Sequence, residues 1–336
     1  MNIIQTFDTI EVHVAGTPIR VVTGGIPRLK GQTMSEKMDY MKNRYDWMRE
    51  CITKKPRAFD AVVAAVITDS VSEEADFGVF YMDMLKYQPM CGAGTFGVIK
   101  ALIESGMVEK KSPETRLIID TPSGKLHATA RVENQTVKEV SFQNITSFVY
   151  KKDLEISLPE YGAIKVDIVY GGNFFVIVDV EKIKIPIVKK NVAPLAHLQT
   201  AILEAANKVI SVQHPREKGI NYLDQVLFVQ DSDDPEKGYM AQCVFGDRQA
   251  DNSPCGTGTC ARMTRRMARQ EIELNETFKQ LNVTDSGAFY GKLLSEESIG
   301  KFTGYIPQIS CRDIYIIGFN KLVVEQNDNL QRGLSG

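Results

Sequence analysis

The sequence CGAGT, at residues 91–95, returns as CGTGT at residues 255–259. The two segments differ only in their middle residue, and each leads into a stretch with the spacing of a helix, residues 96–103 and 260–267. A second tripeptide, Gly-Lys-Leu, follows the first copy at residues 124–126 and the second copy at residues 291–293. Two echoes in the same order and at similar offsets favour a chain built of two similar halves.

The segments around the two copies predict an α/β chain with strands before and after each motif helix. Runs rich in Val, Ile, Phe and Tyr, bounded by Gly, Pro and Asp, are typical of strands. Strands are predicted at residues 10–14, 19–22, 61–68, 117–120, 126–132, 164–169, 174–180, 225–229, 313–317 and 321–325. Further helices are predicted at residues 34–51 and 195–212, and a solvated edge or loop at residues 181–190.

The length of the chain, 336 residues, is enough for two ordinary domains with sizeable cores. The repeat places the first half at residues 1–147 and the second at residues 148–317. The tail, residues 318–336, could pack back on the first half.

The composition excludes several classes of function. Apolar residues make up 43% of the chain, and the net charge is −2 with the basic residues spread along it, so no nucleic-acid partner is expected. The first residues have no signal-peptide pattern, and the longest apolar run is too short to cross a bilayer. We therefore expect a cytoplasmic protein that does not associate with a membrane. The six cysteines are expected to be free thiols, and their spacings with the four histidines predict no metal site.

The two motif cysteines, Cys91 and Cys255, are the predicted catalytic residues. A thiol at the start of a helix loses its proton more readily, because the unpaired N–H groups there favour negative charge. Two such thiols suggest a matched acid and base: one begins as a thiolate and the other as a thiol. Their titrations would be coupled.

The residues beside the cysteines are suited to hold a small carboxylate. The first N–H groups of a helix have no partner within it, and glycine lets an anion approach them. If two such helix ends face each other, one carboxylate can receive N–H groups from both, with a thiol on each side of its α-carbon. The α-proton of an amino acid is weakly acidic, and one preorganised donor can stabilise the enediolate-like transition state by roughly 3–4 kcal/mol.

Several other residues allow a second interpretation. Asp251, four residues before Cys255, could hold a substrate ammonium, but Asp-Asn-Ser-Pro also favours a turn. His13 is interpreted as a structural histidine at a strand end. The other cysteines are expected to be small buried residues; they are Cys51, Cys243, Cys260 and Cys311. The arginines that follow Cys260 are expected to form a solvated helix face; they are Arg262, Arg265, Arg266 and Arg269.

These segments resemble the proline racemase family. The similar stretches are MCGAGT at residues 90–95, DNSPCGTGT at 251–259, HVAGTPIR at 13–20 and YGGNFF at 170–175, so the likeness covers nearly the whole chain. It implies a fold like that of diaminopimelate epimerase, in which two pseudo-symmetric halves each wrap a curved, mostly antiparallel sheet around a central helix. It also implies a homodimer, no cofactor and an amino-acid substrate.

The family's site residues map onto matching positions of this sequence. The resemblance implies that the two cysteines are the opposed acid and base, and that Asp251 contacts the substrate nitrogen. It implies that the backbone N–H groups of Gly92, Ala93, Gly256 and Thr257 bind the carboxylate.

Three positions depart from the family pattern. Ala93 stands where the family usually has histidine, which leaves open the substrate among proline, 4-hydroxyproline and similar amino acids. Asn252 replaces a usual arginine, and Cys311 a common glycine. Dehydratases of the family, which act on 3-hydroxyproline, typically have threonine at the position of Cys255.

Three functions are therefore compared. The first is a cofactor-independent racemase or epimerase that inverts Cα with opposed thiolate and thiol. The second is a hydroxyproline dehydratase. The third, from another class, is a redox-sensing or ligand-binding protein whose paired thiols form a disulfide when no ligand separates them.

Overall fold

The computed structural model describes residues 2–232 and 234–334, and the chain divides into two compact units. Unit 1 comprises residues 1–141 and 312–336, and unit 2 comprises residues 142–311. These limits lie a few residues before the predicted ones at 147/148 and 317/318. The first limit is earlier because residues 144 and 147 already pair with residues 307 and 305 of unit 2. The second is earlier because residues 314–316 pair with residues 12–14 of unit 1.

Unit 1 contains two α-helices and nine strands among the residues described, and the last of its first eight strands ends just inside unit 2. The helices are α1 (Met34–Thr53) and α2 (Gly92–Glu104). The strands are β1 (Ile3–Val14), β2 (Thr17–Gly24), β3 (Val63–Thr68), β4 (Phe77–Met82), β5 (Tyr87–Gln88), β6 (Glu114–Thr121), β7 (Gly124–Glu133), β8 (Thr136–Gln143) and, from the C-terminal segment, β18 (Ile314–Glu325).

Unit 2 holds the other two α-helices of the described chain. They are α3 (Val192–Val209) and α4 (Gly256–Ala268). The strands are β9 (Ser147–Leu158), β10 (Gly162–Tyr170), β11 (Phe174–Asp179), β12 (Gln225–Gln230), β13 (Tyr239–Phe245), β14 (Gln249–Ala250), β15 (Phe278–Leu281), β16 (Ala288–Ile299) and β17 (Phe302–Cys311).

The strands of the two units pair in the same order. In unit 1, β1 lies antiparallel between β18 and β2, β2 is parallel to β3, β3 is antiparallel to β4, and β4 pairs with β5 and, in parallel, with β6. In unit 2, β10 lies antiparallel between β9 and β11, β11 is parallel to β12, β12 is antiparallel to β13, and β13 pairs with β14 and, in parallel, with β15. By its pairing, β18 therefore has the place in unit 1 that β9 has in unit 2.

Each motif helix is buried against the strands of its own unit. Helix α2 packs on β1, β2, β3 and β18, and helix α4 packs on β9, β10, β16 and β17. Glycines make this close packing possible: a methyl group at Gly97 in α2 would lie 3.2 Å from Ile19 of β2. Helix α2 ends at Glu104 with Ser105 as its C-cap, and Gly106 follows with φ +78°, a conformation that glycine adopts without strain.

The predicted elements differ from the observed ones in three places. The two strands expected at 313–317 and 321–325 are one strand, β18, because Gly318 to Asn320 continue the ladder with β1. Residues 181–190 are not fully solvated, since Ile183 and Ile187 are buried in the core of unit 2. Strands β4, β5, β8, β9 and β13 to β17 were not predicted. None of the helices in the described residues is both long and apolar enough to span a membrane.

Candidate active site

Cys91 is the N-cap residue of α2. Its Sγ accepts the backbone N–H of Gly94 at 3.3 Å, and its carbonyl accepts the N–H and hydroxyl of Thr95 at 2.9 and 2.8 Å. The thiol thus takes the role that Ser or Asp usually has at a helix start. Cys91 is partly exposed, which is compatible with a ligand reaching its sulfur.

Cys255 repeats this arrangement at the start of α4. Its Sγ accepts the N–H of Gly258 at 3.3 Å, and its carbonyl accepts the N–H and hydroxyl of Thr259 at 2.8 and 2.7 Å. The hydroxyl of Thr257 lies 3.8 Å from the same sulfur. The five-residue repeat therefore encodes one cap structure twice, in which the final threonine fixes the cysteine carbonyl and the second glycine donates to the sulfur.

The two caps differ in backbone conformation. Cys91 is extended, with φ −144° and ψ 115°, whereas Cys255 has φ 66° and ψ 105°. A positive φ in a residue other than glycine costs on the order of 1–3 kcal/mol and persists only where its surroundings impose it. Such conformations are concentrated at functional sites.

The first residues of both helices offer the predicted carboxylate donors. Gly92 and Ala93 open α2, and Gly256 and Thr257 open α4, at positions whose N–H groups have no partner within a helix. All four residues are buried. The structure therefore places these four residues at two helix starts of like construction, one in each unit.

Tyr81 of β4 supports the cap of α2. Its hydroxyl lies 2.7 Å from the hydroxyl of Thr95, and a methyl group at Gly94 would lie 2.6 Å from its ring. Burial raises the pKa of Tyr81 well above its ordinary value, so the group stays neutral. A neutral phenol leaves the proposed acid–base chemistry to the sulfur.

Asp251 forms the turn that its sequence also allowed. Its Oδ1 accepts the N–H of Ser253 at 2.8 Å and the Ser253 hydroxyl at 2.9 Å, and that hydroxyl in turn lies 3.2 Å from the N–H of Cys255. The carboxylate is only 7% exposed. Since a carboxylate has two oxygens and about four acceptor sites, the turn is compatible with a second role toward a ligand.

Two buried amides, which the sequence did not reveal, hold the segment before Cys255. Gln280 of β15 donates to the carbonyl of Pro254 at 2.7 Å and to the Thr259 hydroxyl at 2.9 Å. Asn282 donates to the carbonyls of Asp251 and Ser253 at 3.0 and 2.9 Å. These bonds fix the strained turn, so both amides position the thiol.

The YGGNFF segment, residues 170–175, packs against the same helix. A methyl group added at Gly171 would lie 2.3 Å from the carbonyl oxygen of Thr257 and 2.6 Å from the backbone nitrogen of Ala261. The backbone of Gly171 thus contacts the first turns of α4 directly, which only glycine permits.

Cys243 was expected to be a packing residue, and its surroundings are more specific. It lies in β13 and is 1% exposed. Its Sγ, a carboxylate oxygen of Asp251 and the Sγ of Cys255 all lie within 4.8 Å of one another. The spacing gave no sign of this group, because the turn between β13 and β14 brings residue 251 back beside residue 243.

The prediction of a solvated arginine face on α4 was wrong. Arg262 is fully buried and donates to the carbonyls of Gln230 and Met240, both at 2.8 Å. All four arginines pair with acidic residues of unit 2: Arg262 and Arg266 with Asp231, Arg265 with Asp167 and Asp179, and Arg269 with Asp153 and Asp167. The helix is therefore tied to its sheet by ion pairs.

The other residues singled out from the sequence are His13 and three further cysteines, and these take part in packing. His13 stacks on Tyr315 with ring centroids 5.0 Å apart, and burial lowers its pKa despite the nearby Asp313. Cys51, Cys260 and Cys311 are buried, as expected, and burial raises the pKa of the Cys260 thiol to about 12.

Comparisons with known proteins bear on the whole chain. A model of the proline racemase family matches residues 9–335. A proline racemase of Acetoanaerobium sticklandii is 35% identical over 336 residues, which cover 100% of both chains. A trans-3-hydroxy-L-proline dehydratase of Bacillus cereus is 34% identical over 333 residues, 99% of each chain.

A solved structure matches the fold. The hydroxyproline epimerase of Agrobacterium vitis, crystallised with bound trans-4-hydroxy-L-proline, superposes with a TM-score of 0.93 over 100% of this chain and 97% of that one, at 24% identity. The likeness confirms the predicted strand-rich α/β fold class.

Proposed function

Because this chain belongs to the proline racemase family, we propose that it inverts Cα of proline, 4-hydroxyproline or a similar amino acid with Cys91 and Cys255 as the acid–base pair. Membership of the family makes the chain an isomerase of the racemase and epimerase type. The substrate and the two-base mechanism are the proposed part.

The observation that carries the proposal is the duplicated thiol cap. Each sulfur accepts one N–H group from the third residue after it, at 3.3 Å in both copies. The donor belongs to the first turn of a helix, whose N-terminal end carries a partial positive charge. Either cysteine is thus built to act as the base, as inversion in both directions requires.

The proposed reaction moves one proton off and one proton on. The thiolate of one cysteine takes the Cα proton and becomes a thiol, while the electron pair of the broken C–H bond flows into the carboxylate. The thiol of the other cysteine then protonates the opposite face and becomes the thiolate. The protein is left with its acid and base exchanged, and no cofactor takes part.

The substrate groups are assigned to residues at the two helix starts. The N–H groups of Gly92, Ala93, Gly256 and Thr257 would bind the carboxylate, where they stabilise the charge that develops in the transition state. The carboxylate of Asp251 would accept from the substrate ammonium. Ala93 has a small side chain, so we expect it to leave room for a substituent on the substrate ring.

A dehydratase is the second candidate, because a relative of that name is 34% identical over 99% of both chains. Its chemistry would also begin with a cysteine taking the Cα proton, but loss of a hydroxyl group would follow. The presence of cysteine at both cap positions favours inversion, since a second thiol of matched construction is suited to returning a proton to Cα.

Incubation of the protein with L- and D-proline and the 4-hydroxyprolines in D2O tests the proposal. We expect deuterium at Cα and the opposite configuration in the product. Cys91→Ala and Cys255→Ala should each abolish inversion, whereas Cys51→Ala, a buried thiol of unit 1, is the matched control. Absence of deuterium at Cα across the panel would refute the proposal, and a cyclic imine product from 3-hydroxyproline would favour the dehydratase.

A redox-sensing role for the paired thiols stays a prediction, which a thiol titration with and without a carboxylate ligand would test. The homodimer and the cytoplasmic location also stay predictions.

A further inference from the structure

Unit 2 brings together three side chains of the kinds that bind metal ions, and one of them, Cys243, has no part in the proposed reaction. The Sγ atoms of Cys243 and Cys255 and a carboxylate oxygen of Asp251 all lie within 4.8 Å of one another. The three residues are 1%, 6% and 7% exposed, respectively. We propose that they form a binding site for a thiophilic divalent cation such as Zn²⁺.

The donor atoms select the class of metal. Two thiolates and one carboxylate suit Zn²⁺ and related soft or borderline ions, whereas Mg²⁺ and Ca²⁺ prefer oxygen ligands alone. With Zn–S bonds of about 2.3 Å, the sulfurs of a tetrahedral site lie about 3.8 Å apart. The present separations are at most 4.8 Å, so closing the site needs movements of about 1 Å or less at each ligand.

The surroundings hold the three ligands in place. The backbone N–H of Asp251 donates to the backbone carbonyl of Cys243 at 2.9 Å, which holds these two residues beside each other. The Ser253 N–H and hydroxyl orient the Asp251 carboxylate, and the Gly258 N–H donates to the Cys255 sulfur. Outer contacts of this kind orient the ligands of a metal and raise its affinity.

The charges at the site favour a dication. Binding releases the two thiol protons to solvent, and the three anionic ligands then leave a net charge of −1 around the metal. Affinity should therefore increase with pH, because the thiols must lose their protons. Three protein ligands leave one position of a tetrahedral ion for water or for a substrate group, as in zinc sites that exchange ligands.

The consequence for activity rests on the proposed function. A metal bound to Cys255 engages the sulfur electron pair that would otherwise take the Cα proton. Zinc should therefore inhibit inversion reversibly, and a chelator should restore it. Cys243 contributes to this inhibition only as a ligand of the metal.

Cobalt provides a direct probe of the site. Titration of the reduced protein with Co²⁺ in the absence of oxygen should give one equivalent of tetrahedral cobalt with thiolate-to-metal charge-transfer absorption, and Zn²⁺ should displace it. Cys243→Ala should weaken Zn²⁺ binding, measured against a chromophoric chelator, by at least about 100-fold, because loss of a residue that only orients a ligand already costs about 10- to 100-fold. Cys51→Ala is the matched control, since Cys51 is a buried thiol of unit 1, and it should leave the affinity unchanged.

Further measurements distinguish loss of the metal site from misfolding of a variant. Cys243→Ser keeps the size of the side chain, and circular dichroism reports whether each variant is folded. Anomalous scattering from a crystal soaked in Zn²⁺ locates the ion in the unaltered protein. The proposal is overturned if wild-type protein shows no thiolate–cobalt absorption, if folded Cys243→Ala or Cys243→Ser binds zinc as tightly as wild type, or if the ion lies elsewhere.

The two proposals fail separately. Deuterium exchange at Cα without thiolate-bound cobalt would leave the proposed function and remove the metal site. Thiolate-bound cobalt that depends on Cys243, without exchange on any substrate, would do the reverse. If both hold, Zn²⁺ should lower the exchange rate of wild type and Cys51→Ala far more than that of Cys243→Ala.

Discussion

Replacement of Gly171 by alanine should disturb the Cys255 cap from beneath. The new methyl carbon would lie 2.3 Å from the Thr257 carbonyl oxygen and 2.6 Å from the Ala261 nitrogen. Both atoms belong to the backbone of α4, so no side-chain rotation can relieve the clash. Either the loop at residue 171 or the first turns of the helix must move.

The size of the effect follows from the distances. An ordinary carbon–oxygen contact is longer than 3.0 Å, so the methyl group and the Thr257 carbonyl must separate by about 1 Å. Overpacking of this kind costs about 1–3 kcal/mol of unfolding free energy. A displacement of 1 Å at a catalytic group can lower a rate about 100-fold, and Thr257 lies two residues after the proposed base.

The assay compares Gly171→Ala with Gly219→Ala. A methyl group at Gly219 would meet nothing within 4 Å, so this variant should match wild type in stability and activity. For Gly171→Ala we expect a lower unfolding free energy in urea and a rate of Cα deuterium exchange reduced about 100-fold. If Gly171→Ala exchanged the proton at the wild-type rate, the packing of residue 171 would not position Cys255.

Three further predictions concern stability, measured as the unfolding free energy in urea. Arg262→Met should lower it by about 3 kcal/mol, because the buried carbonyls that Arg262 bonds lose their donor; a loss below about 1 kcal/mol would contradict this. Burial opposes ionisation of Asp167, but the Asp153 N–H and two arginines hold the pKa of its carboxyl below the ordinary value. The unfolding free energy should therefore fall as pH drops below about 4, and it should fall less steeply in Asp167→Asn. Burial, with the charge of Arg216, lowers the pKa of His214 from 6.5 to about 4, so stability should fall as pH drops through this range; an equal fall in His214→Gln would refute the assignment.

The features that could be predicted from the sequence are those that depend on near neighbours. A thiol cap needs only the cysteine, the glycine three positions later and the threonine four positions later, so the five-residue motif contains it entirely. The helices after the two motifs follow from the same local pattern. The repeat of the motif favoured two similar halves, and the motif helix follows β5 in unit 1 and β14 in unit 2.

The arginines of α4 show where local pattern misleads. Their spacing is that of a charged helix face, which usually points to solvent. Their partners lie on β9, β10, β11 and the segment after β12, up to 116 residues away in sequence, and nothing near the arginines identifies them. Pairing with those carboxylates lets this face pack on the sheet, because a buried charge is tolerated when it is paired and hydrogen-bonded.

The fold explains why the two motif copies, so alike in sequence, differ at the cysteine itself. Cys255 has φ 66°, and the strain is imposed by contacts that arrive from later in the chain. Gln280 and Asn282 bind three carbonyls of the segment that precedes the cysteine, and both amides are buried. Since removal of such a donor leaves a buried carbonyl unsatisfied at a cost of about 1–3 kcal/mol, these bonds are of the size needed to offset the strain. The same turn brings Asp251 beside Cys243, so one set of amide bonds sets the geometry on which both the proposed base and the proposed metal site depend.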